Sequence, residues 1–211
     1  MFNINVWRCD MKRHTVILGA GATIAAIPNG DKNGRKSSVM NGLIEKLNLH
    51  EVLKGIELKT QSNNLEDIYS ELHSRPECKC VTEELERRLY QYFESLELPD
   101  EPTVYDFLIL SLTKKDVIAT FNWDPLLLQA YIRCYNITDN LPHVLCLHGN
   151  VAMGYCEEHG EFGKKTQTVL SAGESFPRQN CSILLLKKTT RVMLIYITAG
   201  RLFNRQLMNL I

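Results

Sequence analysis

The stretch Val16-Ile17-Leu18-Gly19-Ala20-Gly21-Ala22-Thr23 decides the fold of this chain. It continues the run His14 to Leu18, whose β-branched and aliphatic residues are typical of a strand buried on both faces. The glycine pair then ends the strand, and a short helix is predicted over Ile24 to Ile27. Strand, glycine turn and helix form the opening unit of an α/β domain, so we expect the first central strand of a sheet here.

Two further apolar runs end in polar residues in the same way. Asp116 to Thr120 leads into Phe121-Asn122-Trp123-Asp124, and a helix is predicted from Pro125 to about Tyr135. His143 to Leu147 leads into His148-Gly149-Asn150. The carboxyl ends of parallel strands share one edge of the sheet, so the sequence predicts that these three polar signatures are neighbours.

Helical periodicity fills the region between the first two strands. Two successive amphipathic helices between 63 and 98 exceed what a simple crossover between parallel strands needs, so we expect a helical insertion at about 50-103. Another helix is predicted over Thr103 to Thr113, and Pro28 to Lys36 is predicted to be a flexible loop able to close over a ligand. The expected helix caps are Ser37 or Ser38 for a helix through about Leu49, then Asn63 or Asn64, and Thr82.

The pattern weakens beyond Asn150. Gly154 to Asn180 is predicted to be loop, Arg191 to Ile197 a strand, and Arg201 to Leu210 a helix. We therefore expect one domain over 1-211, with a poorly defined C-terminal part from about 151. The predicted fold class is α/β, a Rossmann-like three-layer parallel sheet with a helical insertion.

Composition narrows the class of function. The 211 residues are 45% hydrophobic and 23% charged, with 24 Lys plus Arg balancing 24 Asp plus Glu, so no overall field attracts nucleic acid or an anionic membrane. No apolar stretch approaches the ~18 residues of a membrane span. The seven cysteines show no paired spacing, and Met1 to Arg13 lacks the apolar run of a signal peptide. These features predict a cytoplasmic location.

The glycine signature suits a phosphate-binding turn. Gly19 and Gly21 allow a tight turn and a close approach of ligand to backbone, and the following helix start offers free amide groups. The third glycine of the dinucleotide fingerprint is absent, because Ile24 stands at that position. A tight turn without a ligand therefore remains an alternative.

The other two signatures carry groups suited to ribose chemistry. Asn122 and Asp124 can reach ribose hydroxyls or a carboxamide, and His148 can exchange a proton near neutral pH. Each also has a structural alternative. Asn122 can cap the helix at Pro125 or close an Asx turn, and a lone histidine often has only a structural role.

Together these stretches resemble the sirtuin superfamily, and more closely the bacterial sirtuin-like domains of anti-phage defence proteins. The resemblance covers about His14 to Asn150. It implies that Asn122 contacts the nicotinamide ribose of NAD and orients the attacking group, that His148 acts on ribose as a base, and that Asp124 supports them. It also implies a diphosphate-binding turn made of Gly19, Ala20, Gly21, Ala22 and Thr23.

The chain departs from the protein-deacylating branch of that family at two places. Where those proteins carry Gly-Ile-Pro-Asp-Phe-Arg, this chain reads Ala26-Ile27-Pro28-Asn29-Gly30-Asp31. Their zinc module of two Cys-x-x-Cys pairs is also missing, and a structural zinc site is not predicted. The candidate ligands are Cys156, His159 and Cys181, with His143 as a possible recruit, while Cys78-Lys79-Cys80 has the wrong spacing and is predicted to be a surface pair before a helix.

The expected function is hydrolysis of NAD, with water as the acceptor, in an effector of bacterial anti-phage defence. NAD enters as the substrate. A protein deacylase and a non-catalytic module that senses NAD or ADP-ribose remain alternatives, whereas a dehydrogenase would need the third glycine and an acidic residue after its second strand. A separate sensor or effector protein and a homo-oligomer are the expected partners, without direct contact to nucleic acid or membrane.

Overall fold

The computed structural model of the protein describes residues 12–156, 161–164, 194–198 and 201–205, with side-chain surroundings for 12–152. It contains both helices and strands. The strands are β1 (Thr15–Leu18), β2 (Val117–Thr120), β3 (His143–Cys146), β4 (Met153–Cys156), β5 (Glu161–Lys164), β6 (Leu194–Thr198) and β7 (Arg201–Arg205). The helices are α1 (Ala20–Ala26), α2 (Met40–Lys46), α3 (His50–Leu53), α4 (Leu65–His73), α5 (Lys79–Glu94), α6 (Val104–Ser111) and α7 (Leu126–Tyr135).

A small parallel sheet positions the three signatures. β1 pairs with β2 and β2 with β3, all parallel, so that Leu18, Thr120 and Cys146 lie in one row at the carboxyl ends. The predicted parallel arrangement of these strands is therefore confirmed, and the described chain is compatible with an α/β fold. Antiparallel β6 and β7 extend the sheet in the order β1-β2-β3-β6-β7, so the sheet is mixed.

The prediction that β1 is a central strand buried on both faces is wrong for the sheet formed by the described residues. β1 lies at its edge, and the side chain of Ile17 is 68% exposed. Apolar composition identified the strand correctly, but a strand's place in a sheet depends on which other strands pair with it.

The C-terminal predictions have mixed outcomes. The strand predicted over Arg191 to Ile197 is found as β6, whereas the helix predicted from Arg201 is wrong, because β7 pairs antiparallel with β6 instead. The predicted loop from Gly154 also contains a hairpin formed by β4 and β5. The remainder of these predicted segments lies outside the described residues.

Only one of the three predicted helix caps before Thr103 is confirmed. The Asn64 side chain accepts a hydrogen bond from the N–H of Glu66 at 2.8 Å and begins α4. α2 begins after Val39 without a side-chain cap, so the serine prediction is wrong. Thr82 lies inside α5, which begins earlier because the Pro76–Cys78 turn leads directly into it.

The loop from Pro28 to Lys36 is present but is attached to its neighbours. Asp31 is 5% exposed, and its Oδ1 atom accepts hydrogen bonds from the N–H groups of Asn33 and Arg35 at 2.9 and 2.7 Å. Its Oδ2 atom accepts from the N–H of Glu97 at 3.2 Å. These bonds tie the loop to the segment after α5. Its flexibility and its closure over a ligand stay predictions.

One hydrophobic core joins the sheet to the helices of the predicted insertion. Ile118 and Val144 of the sheet belong to the same buried cluster as Leu65 and Tyr69 of α4 and Leu85 of α5. The amphipathic character predicted for the first of these helices is confirmed, since Leu65, Ile68, Tyr69 and Leu72 of α4 are buried. The insertion helices thus fold onto the sheet.

Two predictions concern cysteines and membrane spans. Cys78 is buried and Cys80 is exposed, so the predicted surface position is wrong for Cys78 and confirmed for Cys80.

Within the described ranges, no helix combines the length and apolar character needed to cross a bilayer.

Candidate functional site

The three signatures meet at a cavity of about 250 Å³. Ala20 and Thr23 come from the glycine signature, Phe121 to Asp124 from the loop after β2, and His148 from the loop after β3. Their convergence follows from the parallel pairing of β1, β2 and β3, which releases all three loops at one edge of the sheet. The predicted neighbourhood of these segments is therefore found.

The glycine signature forms the beginning of α1. Gly19 has φ −128° and ψ −171°, which is extended backbone open to most residues, and Gly21 lies within the helix. The expected need for glycine in a tight turn is therefore not met. A Cβ atom at either position would instead enter open space, with no atom within 4 Å, so these glycines leave room beside the backbone.

Thr23 is the centre of a buried hydrogen-bond network. Its side chain is 1% exposed, and its hydroxyl donates to Asp124 Oδ2 at 2.7 Å. The same oxygen accepts from Asn122 Nδ2 at 2.8 Å and lies 3.0 Å from the hydroxyl of Tyr105. This residue of the predicted phosphate turn thus connects α1, α6 and the loop after β2.

Asn122 reaches back to the glycine signature. Its Nδ2 atom donates to the Gly19 carbonyl at 2.9 Å as well as to Thr23, and its side chain neither caps α7 nor closes a turn. In the described part of the chain the Asn122 Oδ1 atom has no hydrogen-bond partner. Because Asn122 lines the cavity, this oxygen is available to a ligand.

Asp124, and not Asn122, stabilises the turn into α7. Its Oδ1 atom accepts from the N–H of Leu126 at 3.1 Å at the start of α7, and the residue is 4% exposed. Burial raises the pKa of its carboxyl group, against the opposing effect of the hydrogen bonds from Thr23 and Leu126. Both carboxylate oxygens already have internal partners, which suits a supporting residue.

His148 is the exposed member of the site. Its ring packs edge-on against Phe121, with ring centroids 4.9 Å apart and an interplanar angle of 70°. No hydrogen-bond partner of the imidazole is found among residues 12–152. An exposed imidazole held by an aromatic ring can exchange protons with a bound molecule or with water.

Asn150 attaches the His148 loop to the loop after β2. Its Nδ2 atom donates to the Asp124 carbonyl at 2.6 Å, and its Oδ1 atom accepts from the N–H of Ala152 at 3.0 Å. The N–H of Val151 also donates to the Trp123 carbonyl at 2.9 Å. Two of these hydrogen bonds, from Asn150 Nδ2 and from the N–H of Val151, therefore join the loop after β3 to the loop after β2.

Several residues of the site were not predicted from the sequence. Tyr105 lies among the apolar residues of α6, so no sequence pattern indicates its polar contacts. Most residues of the cavity wall lie far from the signatures in sequence, although Trp123 belongs to the second one. Trp123 packs edge-on against Phe93 at 5.7 Å between centroids, forming an aromatic wall. The remaining wall residues are Ser37, Ser38, Met40, Leu43 and Glu66.

The zinc-ligand candidates cannot be placed at this site. His159 and Cys181 lie outside the described residues, and only the backbone of Cys156, in β4, is described. Within residues 12–152, His, Cys, Asp and Glu side chains form no group of three or more suited to a metal ion.

The chain matches no protein-family model and no curated protein. The resemblance to sirtuin-like domains therefore rests on the quoted residues, their order and the chemistry that they carry.

Proposed function

We propose that the protein is an NAD glycohydrolase that cleaves NAD to nicotinamide and ADP-ribose. One observation carries this proposal: Asn122 and His148, from two different loops, line one cavity together with Ala20 and Thr23 of the glycine signature. That arrangement supplies a positioning amide and a proton acceptor beside a backbone that a phosphate can approach. A Rossmann-like assignment of the sheet is part of the same proposal.

The shape of the site supports a pyridine dinucleotide. The open space at Gly19 and Gly21 would accommodate the diphosphate, beside the amide groups of Ala20 and Gly21 at the start of α1. The cavity is near the lower end of ligand-pocket volumes and suits the nicotinamide riboside half of the substrate. The aromatic wall of Phe93 and Trp123 favours a flat, positively charged pyridinium ring.

Hydrolysis breaks the bond between the ribose C1′ atom and the nicotinamide nitrogen. The bonding electrons leave with nicotinamide, which becomes neutral, and positive charge develops on the ribose. A water molecule that donates a hydrogen bond to Asn122 Oδ1 is held in place and forms the new bond to C1′. His148 takes the proton that this water loses. Asp124 supports this arrangement, because its carboxyl oxygens accept hydrogen bonds from Thr23 and from the N–H of Leu126 and so hold the partner of Asn122 in place.

Water is the proposed acceptor because the loop after α1 lacks the deacylase sequence. Asn29-Gly30-Asp31 replaces the family's Asp-Phe-Arg, and the Asp31 carboxylate is used in binding its own loop. The resemblance extends the proposal to a cytoplasmic defence effector acting with a separate sensor protein.

The test is nicotinamide release from NAD by the purified chain, followed by chromatography. We expect release by the wild type and a loss of at least about 100-fold in Asn122→Ala and in His148→Ala. Matched surface variants, Asn140→Ala and His50→Ala, should behave like the wild type, since both residues are exposed and neither lines the cavity. Equal release by all five proteins, or no release by the wild type, would disprove the proposal. An acetyl-lysine peptide added in parallel should not change the products.

A further inference from the structure

Tyr105 reaches the site from α6, outside the three signatures. Its side chain is 1% exposed, and its hydroxyl lies 3.0 Å from Thr23 Oγ1 and 3.4 Å from Asn122 Nδ2. Burial raises the pKa of this phenol far above its usual range. The hydroxyl therefore stays protonated over the working range of pH and can act as a donor.

The position of Tyr105 is fixed by neighbouring bonds in α6. Thr103 and Asp106 form a capping box at the start of this helix, with the Thr103 N–H donating to Asp106 Oδ2 at 2.7 Å. Arg133 of α7 pairs with the same carboxylate through Nε and Nη2, at 2.8 and 2.5 Å. Tyr105 therefore lies in the first turn of a helix that is held by the capping box and by the ion pair with Arg133.

The directions of the bonds around Thr23 follow from the capacity of a hydroxyl, which has one proton and two lone pairs. The proton of Thr23 goes to the Asp124 carboxylate, and one lone pair accepts from Asn122 Nδ2. The second lone pair then accepts from Tyr105, whose hydroxyl fills the last position. Every bonding position of the Thr23 hydroxyl is occupied.

This network also determines the orientation of the Asn122 carboxamide. The Gly19 carbonyl can only accept a hydrogen bond, and Thr23 has given its proton to Asp124, so Nδ2 must face both. We propose that Tyr105 is a positioning residue, whose hydroxyl, acting through Thr23, holds the Asn122 carboxamide with Oδ1 turned towards the cavity. Its catalytic consequence rests on the NAD hydrolysis proposed above, because Oδ1 is the atom that would place water.

The first test needs no turnover and uses the side-chain amide signals of Asn122 in ¹⁵N-labelled protein, identified by their absence in Asn122→Ala. In Tyr105→Phe we expect their hydrogen exchange to accelerate by at least about tenfold, because Thr23 loses a partner and holds the amide less firmly. Two control variants remove other buried tyrosine hydroxyls. In the described structure the Tyr131 hydroxyl has no hydrogen-bond partner, whereas that of Tyr69 donates to Glu86. Tyr131→Phe and Tyr69→Phe should leave the Asn122 signals unchanged.

The second test is kinetic. Tyr105→Phe should lower kcat for nicotinamide release by about tenfold with KM within about twofold of the wild type. In the Asn122→Ala background the same substitution should have no further effect, since the residue through which it acts is gone. A structural role would lower activity equally in both backgrounds.

The two proposals can fail separately. If the wild type releases no nicotinamide while the Asn122 signals respond to Tyr105→Phe, NAD hydrolysis is wrong and the positioning role stands. Unchanged Asn122 signals in Tyr105→Phe, or an undiminished kcat effect in the Asn122→Ala background, would overturn the positioning role.

Discussion

Asn122 Nδ2 donates a hydrogen bond to Thr23 Oγ1 across 2.8 Å, although 99 residues separate the two in sequence. The bond joins the loop after β2 to α1 and lies at the wall of the cavity. Asn122 and Thr23 therefore both stabilise the fold and line the proposed site. A substitution at either residue needs a control variant that separates its effect on stability from its effect on activity.

Thr23→Val removes the hydroxyl at the centre of this network while nearly preserving volume. Three polar groups, on Tyr105, Asn122 and Asp124, lose a buried partner. We expect the free energy of unfolding to fall by about 2 to 3 kcal/mol in urea denaturation, and nicotinamide release to fall with it.

Thr23→Ser keeps the hydroxyl and should restore most of both quantities. Thr82→Val is the matched control, because Thr82 is also buried but its hydroxyl donates only to the Lys79 carbonyl of its own helix. A Thr23→Val protein no less stable than Thr82→Val would contradict the central position of Thr23.

Gly19→Ala should separate binding from stability. The new methyl group meets open space and the backbone is extended, so Tm should stay within a few degrees of the wild type. The same methyl group occupies the space assigned to the diphosphate, so NAD affinity measured by calorimetry should fall by at least about tenfold.

Gly30→Ala is the contrasting variant, in which the added methyl group should lower stability. Gly30 has φ +108°, and a Cβ atom there would lie 2.7 Å from the Gly34 carbonyl carbon. This variant should lose about 2 kcal/mol of stability. Unaltered NAD affinity in Gly19→Ala would argue against the assigned phosphate position.

The sequence predicted the core of the site because its information is local. Each apolar run followed by polar residues identifies a strand and the loop that leaves it, and Asn122 and His148 follow from that pattern. The position of β1 at the sheet edge and the pairing of β7 with β6 depend on contacts between distant segments. Strand order therefore could not be inferred from the runs alone.

Tyr105 shows the same limit within the site. On α6 it stands among apolar residues, so its spacing predicts a core side chain, and it is indeed buried. Its hydroxyl acquires a role only because folding brings Thr23 within 3.0 Å. For a similar reason, Asp124 and not Asn122 accepts the hydrogen bond from the N–H of Leu126 at the start of α7. The side-chain amide of Asn122 donates instead to the Gly19 carbonyl just before α1.

Asp116 should make stability depend on acid pH. Burial raises the pKa of its carboxyl group, but hydrogen bonds from His14 and Thr113 outweigh burial and lower that pKa well below its usual value. The folded state therefore binds the proton less readily than the unfolded chain, whose pKa is about 3.9. Stability contributed by Asp116 is present above that value and is lost as pH falls towards the folded pKa.

Asp116→Asn should accordingly lower Tm at about pH 7 and flatten the decline of Tm between about pH 5 and pH 2. Asp100→Asn is the control, because that side chain is 77% exposed and forms a surface ion pair with Lys32. A decline in Asp116→Asn as steep as in the wild type would show that other groups govern acid unfolding.

Arg133→Met should destabilise the protein by about 3 kcal/mol, because it leaves Asp106 buried without its ionic partner. Hydrogen bonds from Arg133 and Thr103 hold the pKa of Asp106 below its usual value against the effect of burial, so the carboxylate is charged in the wild type and loses its ionic partner in the variant. Urea denaturation measures the change. Arg87→Met, which removes an exposed pair with Glu84, should leave the urea midpoint nearly unchanged.

Asn150→Ala should separate the His148 loop from the rest of the site without removing a proposed catalytic group. It deletes the 2.6 Å bond to the Asp124 carbonyl and the 3.0 Å bond from Ala152. We expect kcat for nicotinamide release to fall by about tenfold or more, since a small displacement of His148 weakens proton transfer. Binding of NAD should change little, because the glycine signature remains intact.

Asn150→Asp keeps one of the two hydrogen bonds of this side chain and removes the other. Its carboxylate can still accept from the Ala152 N–H but can no longer donate to the Asp124 carbonyl, and it places a negative charge against that oxygen. It should therefore lower kcat at least as much as Asn150→Ala. The exposed Asn140, changed to Ala, is the control. If Asn150→Asp retained wild-type kcat, the bond between the second and third signatures would have no part in aligning His148.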